Sequence, residues 1–149
     1  MIKMTMVGLV GALLVGTTAL QAAPTSTKIT EENLAQCYKQ AQNSPDRVSD
    51  CLEKELDMVK KEHKDVTERV YLIAKGIDKK KGGRATLANM NLKVNQTFEN
   101  YVDTECDVMQ RMNDGDKVEL KNEGLSCQIN LYRMRVDMLE NRYLSADKE

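Results

Sequence analysis

From Leu52 to Ile77 the residues Leu52, Leu56, Val59, His63, Val66, Val70, Ile73 and Ile77 alternate steps of four and three without a slip. All but His63 are apolar, and a stripe of that period runs along one side of an α-helix and needs another helix to cover it. The run therefore predicts a rod of about 50 Å. Ser44 and Pro45 suit its N-cap and first-turn positions. It extends to about Asp78, where Lys79, Lys80, Lys81, Gly82, Gly83 and Arg84 mark a tight reversal. The covering surfaces must come from the rest of the chain.

A shorter helix precedes the rod. Thr30 is a good N-cap with Glu31 and Glu32 in the first turn, and Leu34, Cys37, Tyr38 and Ala41 recur at helical spacing until Asn43, Ser44 and Pro45 break it. A third helix opens near Thr86 and sets Leu87, Met90, Val94, Phe98, Tyr101, Val108 and Met112 on one inward face, with Glu105 as a polar interruption. Asn113, Asp114, Gly115 and Asp116 end it, and Asn122, Glu123 and Gly124 read as a second break. Leu125, Ile129, Tyr132, Val136, Leu139 and Tyr143 then repeat four-three steps in a last helix. No segment alternates with period two for long enough to make a strand. The expected fold is all-α, an elongated up-down antiparallel bundle of about four helices.

With no Trp and one Phe, such a core is filled by aliphatic residues and methionine. Cross-links then matter, and Cys37, Cys51, Cys106 and Cys127 supply them if the compartment is oxidising. The N-terminus points to one. Lys3 precedes an uncharged, apolar run from Met4 to Leu20 that closes in Ala22 and Ala23, the pattern of a secretory signal peptide. The run is short for a bilayer span. The expected layout is a signal peptide over residues 1–22 and a single helical domain over 23–149, periplasmic or secreted, with no integral membrane segment after processing. Four cysteines allow three pairings. Cys37 with Cys51 and Cys106 with Cys127 are favoured, because each pair brackets a turn signal and staples a local loop, worth about 3 kcal/mol apiece. The rival is a zinc site, for which the spacings are wide.

The 22 basic and 23 acidic residues nearly balance, and losing Lys3 leaves a slightly acidic mature chain. That favours neither nucleic acid nor an anionic membrane surface. No catalytic residues are expected: the single histidine lies on the seam, and no zincin motif, nucleophile elbow or phosphate-cradling loop is present. His63 reads as a seam residue or as a pH switch, since protonation near pH 6 charges an apolar interface. Met109, Met112, Met134 and Met138 read as core filler or as thioether ligands for Cu(I); the expectation is no metal and no cofactor. The segment with Asn113, Asp114, Asp116, Glu119, Glu123 and Ser126 is polar, acidic and pinned at its base if Cys106 pairs with Cys127. It reads as an ordinary connection or as a recognition loop aimed at a basic protein partner.

The register Leu92, Gln96, Phe98, Tyr101, Asp103, Glu105, Cys106 resembles the signature of the LprI-like lysozyme-inhibitor family, where a leucine and a glutamine lead into an aromatic pair, an acid and a cysteine. Cys127, Leu131, Arg135 and Leu139 resemble that family's terminal helix, and Cys37 and Cys51 look like its N-terminal pair. Phe98 stands where a tryptophan is usual, and Val102 where an arginine is common. The resemblance implies a secreted or periplasmic, all-helical protein of a family in which some members inhibit host lysozyme and many have no established role. Together with the signal peptide and the four-cysteine frame it leads to the expectation of a non-enzymatic protein of the bacterial envelope or secretome that binds and inhibits a lysozyme or related peptidoglycan hydrolase. The alternatives are a periplasmic stress or pH-responsive chaperone-like protein, and an immunity protein against a wall hydrolase. Within the motif, Asp103 and Glu105 are either solvated or paired with Arg135.

Overall fold

The computed structural model describes residues 26–42 and 44–145, with side chains from Leu34 onward; the expected signal peptide, residues 1–22, lies outside them, as does Asn43. The chain forms α1 (Ser26–Ala41), α2 (Pro45–Lys80), α3 (Thr86–Met112) and α4 (Lys117–Leu139), and one π-helical turn, Glu140–Leu144, continues the last. No strand occurs among the described residues. None of the described helices is long and apolar enough to cross a membrane. The all-α up-down bundle read from the periodicity is thus present, and so are both staples: Cys37 is bonded to Cys51 and Cys106 to Cys127. No cysteine is left free for zinc.

Direction follows from the contacts. α2 and α4 run the same way, since Asn122 meets Pro45, Lys121 meets Glu53, Tyr132 meets His63 and Glu140 meets Arg69. α3 returns antiparallel to both, setting Asn95, Phe98 and Cys106 against Arg135, Tyr132 and Cys127 in reverse order. Local chemistry sets the ends. Gly82 and Gly83 take φ of +108° and +80° at the α2–α3 reversal, conformations that carry no penalty only for glycine. α3 has no side-chain cap from its own N-cap residue, Ala85. Instead buried Asp78, from the last turn of α2, accepts the N–H groups of Leu87 and Ala88 at 3.1 and 2.9 Å.

One core cluster joins Leu52, Leu56 and Val59 of α2 to Val102 and Cys106 of α3 and Ile129 and Tyr132 of α4. A second joins Val66 and Val70 to Val136, Leu139 and Leu144. Three expectations need correction. The α2 seam is covered through Val70 but not at Ile73 and Ile77, which are exposed, because the covering residues of α4 and its π turn end with Leu144, packed beside Val66 and Val70. On α3 the inward line is Ala88, Asn95, Phe98, Val102 and Cys106, so of the residues read as inward Phe98 is half-buried, while Leu87, Met90, Val94, Tyr101, Val108 and Met112 are exposed. At the end of α4 the π turn widens the helix by one residue, which buries Leu144 in place of Tyr143.

Candidate functional site

At the end of the bundle that holds both disulfides lies an open groove of about 630 Å³. Its apolar lining comes from Val48 and Leu52 of α2, Met109 of α3 and the Cys127 end of one disulfide; its polar lining is Tyr38, Asn113, Asn122, Glu123, Ser126 and Asn130. The walls are fixed by polar links between helices. The Ser49 hydroxyl donates to the Asn122 side-chain oxygen, and the Asn122 amide donates to the Pro45 carbonyl at 3.1 Å. Lys121 pairs with Glu53 at 2.7 Å. Buried Glu55 accepts the Tyr38 hydroxyl at 2.9 Å and pairs with Arg133. Burial first, and then the hydrogen bond to Glu55, push the Tyr38 phenol above its ordinary range. Tyr38 therefore stays a neutral donor held in place on the rim.

The six residues read as a recognition loop do gather at this corner, but not as a loop. Only Asn113–Asp116 is non-helical, and α4 begins at Lys117. The reason is a capping box: the Asp116 carboxylate accepts the N–H groups of Val118 and Glu119 at 2.8 and 2.9 Å, while the Glu119 carboxylate accepts the Asp116 N–H at 3.3 Å. The expected break at Asn122, Glu123 and Gly124 lies inside the helix. Gly124 is there for contact rather than as a stop, since a Cβ at that position would sit 1.4 Å from Nε2 of Gln110 on α3. Asn113 donates to Glu123 at 2.7 Å, and both line the groove with Ser126. Asp114, Asp116, Glu119 and Glu123 are all exposed. Among the described residues none of these four carboxylates is in an ion pair.

His63 lies further along the bundle, 2 % exposed, with ring centroids 5.3 Å from Phe98 and 5.2 Å from Tyr132. Among the described residues its Nε2 has no hydrogen-bond partner. Burial, and secondarily the Arg135 cation, lower its pKa to about 4, so the imidazole is neutral at pH 7. Arg135 stands 5.4 Å over the Phe98 ring and donates to Asn95 at 3.3 Å. It makes no ion pair with Asp103 or Glu105, both of which are exposed.

The four methionines do not assemble. Met109 lines the groove, whereas Met134 and Met138 follow the Tyr132 turn of α4, beside Arg135, whose contacts on α3 are Asn95 and Phe98. Met112 and Met134 are mostly exposed. The groove residues not read from the sequence as part of a site are Tyr38 and Leu52, which the periodicity marked only as helix-face positions, Asn122, which read as a break, and Val48 and Asn130, which no pattern marked; their shared signal is nearness to a cysteine or to the acidic segment. No protein-family model, curated relative or solved structure matches the chain.

Proposed function

We propose that this chain is a non-enzymatic, disulfide-stapled binding protein, secreted or periplasmic, that engages a basic lysozyme or related peptidoglycan hydrolase at its acidic corner. The observation that carries this reading is the set of four exposed carboxylates, Asp114, Asp116, Glu119 and Glu123, without an ion-pair partner among the described residues and beside an amide-rich groove. Lysozymes are commonly basic, and a like-signed cluster of this kind steers a basic partner and fixes its orientation more than it adds raw affinity. The groove offers amide and hydroxyl groups that can receive a lysine or arginine side chain next to Glu123. Both disulfides are of the kind that persists in oxidising compartments. The LprI-like register of Leu92, Gln96, Tyr101, Asp103 and Cys106 points to the same class of target. The oxidised protein is expected to slow the lysis of peptidoglycan by at least one muramidase. The absence of both slowed lysis and complex formation across several lysozyme types would reject this function.

A second reading has its own observation. His63 is buried and neutral between two aromatic rings, which fits a stress protein that loosens in acid and exposes apolar surface to clients. Circular dichroism and dye binding from pH 7 to 4 separate the two; unchanged ellipticity without dye binding at pH 4 excludes the second. An immunity protein against a rival's wall hydrolase keeps the same chemistry with a different target, and the lysis assay run on bacterial hydrolases distinguishes it.

A further inference from the structure

The most regular apolar line on α3 faces solvent. Leu87, Val94, Tyr101 and Val108 follow one another at intervals of seven and are 38, 49, 50 and 46 % exposed, with Met90 58 % exposed beside them. The line by which α3 packs on the bundle, through Ala88, Val102 and Cys106, lies about 100° round the helix. Thr97 and Thr104 complete the stripe. Each satisfies its hydroxyl on its own helix, donating to the carbonyls of Lys93 and Asn100 at 2.8 Å, so neither needs a polar partner in an interface. A heptad line three repeats long, exposed throughout, is a contact surface rather than scattered surface apolar residues.

We propose that this stripe is the interface of a homodimer, with α3 of one protomer antiparallel to α3 of a second copy. Charge selects both the occupant and the direction. Lys93, Asn100 and Asp107 form one flank of the stripe, also at intervals of seven. Laid antiparallel, that flank meets itself: Lys93 faces the partner's Asp107, Asp107 faces the partner's Lys93, and Asn100 faces its own copy. Laid parallel, it meets the other flank, and Lys93 faces Phe98 with no acid opposite. In the antiparallel register Met90 packs on Val108, Val94 on the Thr104 methyl, Thr97 on Tyr101, and Leu87 on the aliphatic stem of Arg111. Each contact occurs twice, as two-fold symmetry requires.

Sedimentation equilibrium of the oxidised chain decides the question. The mean mass is expected to rise with concentration and to approach that of two protomers as the chain is concentrated beyond about 100 µM. The double substitution V94E/Y101E, at two exposed positions, is expected to give a monomer with unchanged helical ellipticity. Lys93→Asp and Asp107→Lys are each expected to raise the dissociation constant about tenfold, and their combination to restore it. Because Asp107 also pairs with Arg111 within α3 at 2.8 Å, the folded state of that variant is checked by urea denaturation, and Lys93→Asp gives the same readout without that pair. A wild-type monomer at the highest concentration overturns the proposal. A dimer that survives V94E/Y101E, or one indifferent to both charge reversals, does so equally.

Discussion

His63 is the only histidine in the chain, so its titration can be followed by NMR without assignment. Free in an unfolded chain it titrates near 6.5; in the fold its pKa is about 4, lowered by burial and then by Arg135. The charged groups around the ring cluster are Arg135 over Phe98 and Lys60 over Tyr132, with Glu99 and Asp103 of α3 acting on Tyr132. Between pH 6.5 and 4 the unfolded chain binds a proton that the folded chain refuses. The His63 contribution is therefore complete above pH 6.5 and lost as pH falls toward 4, by up to about 3 kcal/mol. Urea denaturation at pH 7, 5 and 4 should show this slope, and His63→Phe, which keeps a flat apolar ring against Phe98 and Tyr132, should flatten it. Arg135→Met keeps the stem, removes the cation and should raise the His63 midpoint toward 6.5; an unmoved midpoint would leave burial as the whole cause. The seam position of His63 was legible in the sequence. The surroundings of Arg135 were not, because composition offered Asp103 and Glu105 as partners, while the fold turns both to solvent and gives Arg135 a ring and an amide instead.

Among the elements, α3 depends on its neighbours at both ends. Asp78→Ala removes the acceptor for two N–H groups at its start and is expected to cost about 1–2 kcal/mol in urea denaturation. Near its other end, Gly124→Ala would favour α4 by about 1 kcal/mol on propensity alone, yet the new methyl displaces Gln110. The single variant should be near neutral, and G124A combined with Gln110→Ala should recover most of the gain, read as a Tm rise of a few degrees. These cases show where periodicity carries and where it fails. It located every helix, and the α2 seam through Val70, because those positions are covered and, His63 apart, apolar. It chose the wrong line on α3, since the line that packs includes Ala88, Asn91 and Asn95 and is less apolar than the one exposed. Cys106 was the available clue: bonded to Cys127 it must face inward, and Val102, one turn earlier, must follow it. The false break at Asn122–Gly124 came from reading glycine as a stop when the Asp116/Glu119 box three residues apart already signalled a start.

For the whole molecule, the two disulfides and the acidic corner belong to one arrangement. Cys106–Cys127 closes a 21-residue separation around the α3–α4 connection, and Cys37–Cys51 ties α1 to the start of α2. A chain with both Cys106→Ser and Cys127→Ser is expected to lose about 3 kcal/mol of stability and to bind its partner more weakly, since the groove walls are then less well fixed. The groove itself was only half legible: Asn113, Glu123 and Ser126 were marked by the acidic segment, while Tyr38, Leu52 and Asn130 reach it from helices whose meeting no local pattern encodes. The most direct measurement is calorimetric titration of the oxidised protein with a basic muramidase, at two salt concentrations, beside a variant carrying Asp114→Asn and Glu123→Gln. Those two changes remove charge from the corner and leave the α4 cap on Asp116 and Glu119 intact. Saturable binding that weakens with added salt and falls about tenfold in the double variant is the expected result; binding of equal strength in both proteins, or none at low salt, would contradict a recognition role for the acidic corner.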